Sequence, residues 1–404
     1  MKFIKISAIV LASILLLSVL ASCKSNNPGK IKKSSDTIGL YVSEGKLMHK
    51  GKEFRGVGVN FFAAYYDLFK NPLDDRYQDG FKTLKDYEIP FARINMGMYY
   101  PAELRRWQEN SDFTYVMMDE LVREATKNDI GLICSIFWNY YAFPDLAGEP
   151  ISAIGDVNSK TWTLMRQYLT DIVTRFKDNP TIWAWEFGNE YNLAADIPVE
   201  LSPYPELWAE SERTARDDQD KLSSADVVAA MNEFAKIVRS IDPDRLITTG
   251  NADIRSFSWN LSNSGSLSQD SSENSREFFN YINPYSFDCT SIHIYKEDMR
   301  RVSPFDSIKG AIQLAMEESE KSGRVLFLGE FGYPDNADSF PDDPVEMFNL
   351  QMEAIEELNV PLSAVWRFEV LGDDLNFEIN PARNQKRAYQ LEAIRDLNRR
   401  LNAN

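Results

Sequence analysis

Eight short apolar runs, each followed by a longer stretch with helical spacing, constrain this chain more than any other feature. The runs are "FRGVGVNFF" (54–62), "IPFARINMG" (89–97), "IGLICSIFW" (130–138), "TIWAWEFGN" (181–189), "RLITTGN" (245–251), "FDCTSIHIY" (287–295), "RVLFLGEFG" (324–332) and "VPLSAVWRF" (360–368). Their hydrophobicity is continuous instead of alternating, as for strands covered on both faces in a parallel sheet. Between them lie stretches such as "FTYVMMDELVREATKND" (113–129) and "SADVVAAMNEFAKIVRSID" (224–242). In the latter, Val227, Val228, Met231, Phe234, Ala235 and Val238 recur at helical spacing. Eight such units in series predict an α/β fold, a (β/α)8 TIM barrel forming one domain over residues 40–404. A doubly wound sheet with a second domain is the runner-up, and no glycine-rich GxGxxG turn follows the first run. Residues 40–54 read as a small hairpin covering the N-terminal end of the barrel, and residues 262–275 as a long polar loop after the fifth strand.

The front end reads separately. Lys2 and Lys5 precede an apolar run from Ile6 to Leu20, and Leu20-Ala21-Ser22-Cys23 follows. A basic start, a short apolar core and small residues before the cut describe a secretory signal over residues 1–22. Leu-Ala-Ser before cysteine resembles a bacterial lipobox, which implies acylation of Cys23 and a lipid anchor to a bacterial membrane. The bland alternative is an ordinary signal peptide with a chance cysteine. Residues 23–39 then form a polar tether. The formal net charge of −17 argues against nucleic acid or an anionic bilayer surface as the partner and suits a neutral substrate. Cys134 and Cys289 each fall inside an apolar run, which predicts buried thiols in preference to a disulfide.

Polar groups gather where the runs stop: Asn60, Arg93 with Asn95, Trp138 with Asn139, Asn189 with Glu190, Asn251, His293 with Tyr295, Glu330, and Trp366 with Arg367. In a barrel these positions share one bowl at the C-terminal face. Two glutamates in "WAWEFGNEYN" then need separate explanations. Along an extended strand Glu186 and Glu190 stand roughly 13 Å apart, at about 3.3 Å per residue. Glu186 lies inside the barrel and needs a cation, for which Arg93 is the best candidate. Glu190 reaches the rim, where Glu330 of the seventh run faces it. Paired carboxylates in an aromatic bowl suit glycosidic bond cleavage, one acid protonated and the other ionised. Arg93 and the Tyr295 hydroxyl are placed to keep Glu330 anionic, while an aromatic wall favours the neutral form of Glu190. With only His49 and His293 in the chain, a zinc site is disfavoured and no cofactor is expected. The chain has no GxSxG elbow for a serine nucleophile.

The segments "ARIN", "PTIWAWEFGNE", "SIHIY", "LGEFG" and "AVWRF" resemble, in this order, retaining β-glycosidases of the (β/α)8 clan, most closely glycoside hydrolase family 5. "VTRFKDNPTIWAWEFGNE" and "SIDPDRLITTGN" are similar to segments of endo-β-1,4-mannanases within it. The resemblance implies a polysaccharide or oligosaccharide substrate, with Glu190 as acid/base and Glu330 as nucleophile. It implies that Asn189 holds the sugar 2-hydroxyl, that Arg93 and Tyr295 flank the nucleophile, and that His293 lies near the acid/base. Trp366 would floor the subsite on the glycone side. The chain departs from the family in two places. Tyr191 stands where proline usually follows "NE", and "WNYYAFPD" replaces a histidine-bearing segment after the third strand. Trp138, Tyr140, Tyr141 and Phe143 there are sugar platforms or loop supports. An insert over residues 193–224, with a short helix expected around Trp208, should border the cleft. An endo-acting mannanase, a β-1,4-glucanase, an exo-acting glycosidase or transglycosylase, and a non-catalytic sugar-binding lipoprotein all remain open on this reading.

Overall fold

The computed structural model describes residues 37–295, 307–335, 342–369 and 375–402. The expected signal segment, Cys23 and the tether up to residue 36 lie outside the described residues. The chain first makes a three-stranded antiparallel sheet, β1 (Leu40–Ser43), β2 (Lys46–His49) and β3 (Lys52–Glu53). Eight parallel strands then close a barrel: β4 (Gly56–Asn60), β5 (Phe91–Asn95), β6 (Gly131–Phe137), β7 (Ile182–Gly188), β8 (Leu246–Thr248), β9 (Cys289–Tyr295), β10 (Val325–Gly332) and β11 (Leu362–Val365). Each lies within one of the eight apolar runs, so the chain is a (β/α)8 barrel. No helix among the described residues is long and apolar enough to cross a membrane.

The barrel interior changes character along its axis. At the N-terminal end, Phe91, Ile133, Ala184, Leu246, Phe327 and Leu362 form one apolar cluster, joined by Leu40 and Leu47 from the small sheet. The sheet thus plugs this end, as expected, and burying each such side chain contributes about 1.5–3 kcal/mol. His49 packs on Trp183 with ring centroids 4.3 Å apart, and burial pushes its imidazole down to about 4. Above this layer the inward positions turn polar, with Asn60, Arg93, Ser135, Glu186, Thr248 and Ser291 all buried. Cys134 and Cys289 are buried free thiols, as expected.

The helices cover the outside through the spacing seen in the sequence. In the helix Ser224–Ile241, Val227, Met231, Phe234, Ala235 and Val238 are buried, and Val228 is half-exposed at the edge of that face. Its start is fixed by Ser223, whose hydroxyl accepts from Asp226 N, while the Asp226 carboxylate accepts from Ser223 N at 2.9 Å. The polar stretch 262–275 is not one long loop. It contains the end of the helix Ser258–Ser264, stopped at left-handed Gly265, and the start of the helix Ser272–Ile282, capped by Ser271. Between them Asp270 accepts from Trp259 N and Asn260 N and ties the turn shut.

The insert after β7 is ordered without the expected helix around Trp208. A short helix, Tyr191–Ala194, opens it and a single 3-10 turn, Asp218–Asp220, comes near its end. Pro203 and Pro205 remove the backbone donors a helix would need. Buried ion pairs hold it instead. Arg216 reaches Asp145 at 2.7 Å and Asp220 at 3.3 Å, and Arg213 reaches Asp220 at 2.5 Å. Asp145 belongs to the helix Ala142–Ala147 that follows β6, so the insert is clamped to the neighbouring βα connection. Arg216→Ala leaves the buried Asp145 carboxylate without its cation and is expected to cost about 3 kcal/mol in urea unfolding. It should also expose residues 193–224 to limited proteolysis, and a variant with parental stability and protease resistance would refute the clamp.

Candidate active site

The polar layer is organised around Arg93, whose five N–H groups are all taken. Nε donates to the Glu186 carboxylate at 2.9 Å, and Nη2 reaches the same carboxylate at 2.8 Å. Nη1 donates to Asn60 Oδ1 at 2.9 Å and to Glu330 Oε1 at 2.7 Å, and Nη2 also donates to Asn189 Oδ1 at 2.8 Å. The Trp138 ring covers the guanidinium at 4.9 Å. Burial alone would lower the pKa of Arg93, but Glu186 and Glu330 outweigh it and hold the guanidinium charged. The sequence-based pairing of Glu186 with Arg93 is therefore present. Glu186 is fully buried.

Glu330 reaches this cluster through an irregularity that strand alternation does not reveal. In β10, Phe327 faces the interior cluster while Leu326 and Leu328 face the outer core, so plain alternation would turn Glu330 outward. The β9–β10 register shifts between Leu328 and Glu330, leaving Gly329 as the extra residue and pairing Glu330 with His293. A Cβ on Gly329 would come within 2.7 Å of His293 Nε2, so only glycine leaves room for that ring. The Gly329 carbonyl accepts from Asn60 Nδ2 at 2.9 Å.

Glu190 leaves the end of β7 in the left-handed region, with φ 55°. This conformation costs a non-glycine residue about 1 kcal/mol or more and is sustained where surrounding contacts over-determine it. Glu190 N donates to the Gly250 carbonyl at 2.8 Å. Gly250 has φ +71°, and a Cβ there would lie 1.9 Å from the Gly188 carbonyl oxygen. Tyr191 is buried where proline usually follows, packing on Phe187 at 4.8 Å and Tyr140 at 6.0 Å.

The turn directs Glu190 at His293, whose Nδ1 lies 3.0 Å from Glu190 Oε1 and 3.4 Å from Glu330 Oε1. One oxygen of each glutamate and a ring nitrogen of His293 all lie within 4.8 Å of one another. Burial pushes His293 down to about 4, so the imidazole is uncharged at neutral pH. Burial pushes Glu190 up to about 7, although 28% of its side chain stays open to solvent. Glu330 also moves up from the ordinary carboxylate value. Its burial outweighs Arg93 and the Tyr295 hydroxyl, which donates to Oε2 at 2.6 Å. Arg93 and Tyr295 each favour the anionic form of Glu330, as expected, while burial sets the net direction. At neutral pH the charge opposing burial at Glu330 is that of Arg93, because His293 carries none. The one-histidine, two-carboxylate set could also converge on a metal ion. Both oxygens of Glu330, however, are already engaged by proton donors.

The remaining expected residues surround this pair. Asn189 is bound to Arg93 and is half-buried. Trp138, only 6% exposed, packs on Phe62 at 4.7 Å and against Arg93. Tyr140 and Tyr141 are half-exposed, whereas Phe143 is buried against Phe137 as a loop support. Trp366 continues the inward parity of Leu362 and Ala364 and is half-exposed. Asn60 and Gly329 complete the site and were signalled in the sequence only as an asparagine ending a run and a glycine preceding a glutamate. The arrangement can do acid–base chemistry: a carboxyl with a pKa near 7 opposes a second carboxyl tied to a cation.

Known proteins share this architecture. The family model described as Cellulase (glycosyl hydrolase family 5) matches residues 48–368. Mannan endo-1,4-beta-mannosidase 3 of Arabidopsis thaliana is 23% identical over an alignment spanning 91% of this chain and 89% of that protein. Among solved structures, the endo-1,4-beta-mannanase from Rhizomucor miehei superposes with TM-score 0.64 at 16% identity, covering 90% of this chain and 99% of the other. The endo-beta-1,4-mannanase from Thermotoga petrophila gives 0.61 at 15% identity, covering 87% and 78%.

Glu186→Ala tests the hub. It removes one of the two carboxylates that balance a fully buried guanidinium and is expected to cost about 3 kcal/mol in denaturant unfolding. A variant as stable as the parent would mean that Glu330 and the two asparagines suffice to hold Arg93.

Proposed function

This chain belongs to the cellulase family, glycosyl hydrolase family 5, and is a glycosidase; on that premise we propose that it cleaves a β-1,4-linked mannan or glucomannan with retention of anomeric configuration. The observation that carries the reading is the approach of Glu190 and Glu330 to within 4.8 Å around His293. Retaining enzymes hold their carboxyl groups about 5–5.5 Å apart, whereas inverting ones leave about 6.5–9.5 Å for a water molecule. The preference for a mannan backbone rests on the printed names of the relatives and on "VTRFKDNPTIWAWEFGNE".

In this mechanism the Glu330 carboxylate attacks the anomeric carbon while Glu190 gives its proton to the departing glycosidic oxygen. The bond between that carbon and oxygen breaks, and a glycosyl ester forms on Glu330. Water then attacks the same carbon, Glu190 takes the water proton, and the ester bond returns its electrons to Glu330. Arg93 and Tyr295 orient Glu330 and take up its charge when it is released. Uncharged His293 contacts Glu190 without making it anionic through a fixed positive charge. Asn189 and Trp366 supply sugar contacts. Export and anchoring through Cys23 belong to the same proposal and rest on residues 1–23 of the sequence alone. A second reading, an exo-acting glycosidase or transglycosylase, draws support from the clamped insert, which would close one end of a groove.

A hydrolysis screen over mannan, glucomannan, cellulose and xylan, with product sizing and NMR of the first-formed anomer, tests the proposal. Mixed oligosaccharides with retained configuration are expected from mannan. Monosaccharides alone would favour the exo reading, and inverted products would sink the double displacement. Glu330→Ala is expected to lower kcat by more than about a thousandfold while the melting temperature stays near the parent value.

The pH dependence follows from the directions above. Glu190 must be protonated in the free enzyme, so kcat/KM should fall as pH rises through about 7. Glu330 must be ionised, and its raised value moves the acid limb above the ordinary carboxylate range. The two limbs belong to the coupled pair and should be fitted together. A profile flat from pH 6 to 9 would contradict the role given to Glu190.

A further inference from the structure

Neither Glu190 nor Glu330 lines a second concavity on the same face of the barrel, an open cavity of about 680 Å³. Its wall brings together Tyr100 from the connection after β5, Tyr141 from the connection after β6, and Trp208 from the insert after β7. Lys70 and Glu206 stand at its rim, both exposed. Two rows of rings connect it to the cup. One runs from Trp138 over Arg93 to Phe62 (4.7 Å), Tyr99 (5.3 Å) and Tyr100 (4.4 Å). The other runs from Tyr191, next to Glu190, to Tyr140 (6.0 Å) and Tyr141 (5.7 Å).

We propose that this cavity is a distal sugar subsite, holding a pyranose unit of the substrate chain beyond those seated over the two carboxylates. The inference rests on the glycanase reading and adds a residue-level determinant of chain-length preference. Tyr100 leaves 41% of its surface open, so its ring is free to take a ligand on the cavity wall. Arg105, which does not line the cavity, backs the Trp208 indole at 5.0 Å. The buried Arg216–Asp145 pair fixes the insert that carries Trp208, so the platform is formed before a ligand arrives. Aromatic faces suit the apolar C–H face of a sugar, and the mixed rim charges of Lys70 and Glu206 offer hydroxyl partners. The wall sets Glu103, Asp145 and Glu206 against Lys70 and Arg106, so it offers no excess of positive charge to select an anion such as a phosphate.

The test compares the parent with Tyr100→Ala and Trp208→Ala on manno- and cello-oligosaccharides of two to six units, on polymeric mannan, and on an aryl β-glycoside. Tyr100→Ala removes an exposed ring, so it keeps the test valid if Trp208→Ala disturbs the insert. KM for the longest oligosaccharides and the polymer is expected to rise about threefold to tenfold in each variant. Rates on the aryl glycoside should stay within about twofold. Quenching of tryptophan fluorescence by a long oligosaccharide should weaken in Trp208→Ala. An active parent whose chain-length preference is unmoved in both variants would overturn the cavity assignment alone. Inactivity of the parent on every β-linked substrate would instead remove the glycanase reading, and the subsite with it.

Discussion

A fully buried guanidinium sets the geometry of this barrel's centre. Arg93 spends all five N–H groups on four side chains from β4, β7, the turn after β7 and β10. A lysine could not do this, since an ammonium has three donors and no planar fork. The arrangement sets two carboxylates against one cation in a dry interior, and Glu186 and Glu330 share that cation unequally. Glu186 is held from two nitrogens at the bottom of the cup, whereas Glu330 is held from one and from Tyr295, at the level where a ligand can meet it.

That inequality explains why two glutamates in one short segment differ in kind. Glu186 is part of the scaffold, and its charge is consumed by Arg93. Among the described residues Glu190 makes no ion pair with an arginine or lysine, and it sits beside an uncharged imidazole, so burial dominates and its proton is retained to near neutrality. Glu330 lies between these cases. Burial lifts it, and its two donors restrain the rise.

Much of this was legible from residue patterns. Both-face burial in parallel strands yields continuous apolar runs, and all eight barrel strands fall inside them. The convergence of Arg93, Glu190, His293, Tyr295 and Glu330 follows from placing run-ends at one barrel face. Besides the extra residue in β10, three things were hidden for physical reasons. The left-handed turn at Glu190 depends on Gly250, a partner remote in sequence whose need for glycine has no local signature. The insert looked helical around Trp208 because its charges are spaced, yet those charges serve tertiary ion pairs with Asp145 and Asp220. The direction of the shift at Glu330 depends on total burial, which a list of neighbours does not supply.

The extra residue in β10 has a different kind of consequence. Gly329 contributes no side chain to the cup but turns its carbonyl toward Asn60, which in turn holds Arg93. A point mutation can reach Asn60 or Arg93 directly, but no substitution deletes a backbone carbonyl. Gly329 itself can be replaced only against the His293 ring. The acceptor at the base of the network is therefore lost chiefly by changing the number of residues in the strand. In this molecule the innermost fixed point of the site is inherited as a length of chain, and insertions or deletions in β10 threaten it more than exchanges of one amino acid for another.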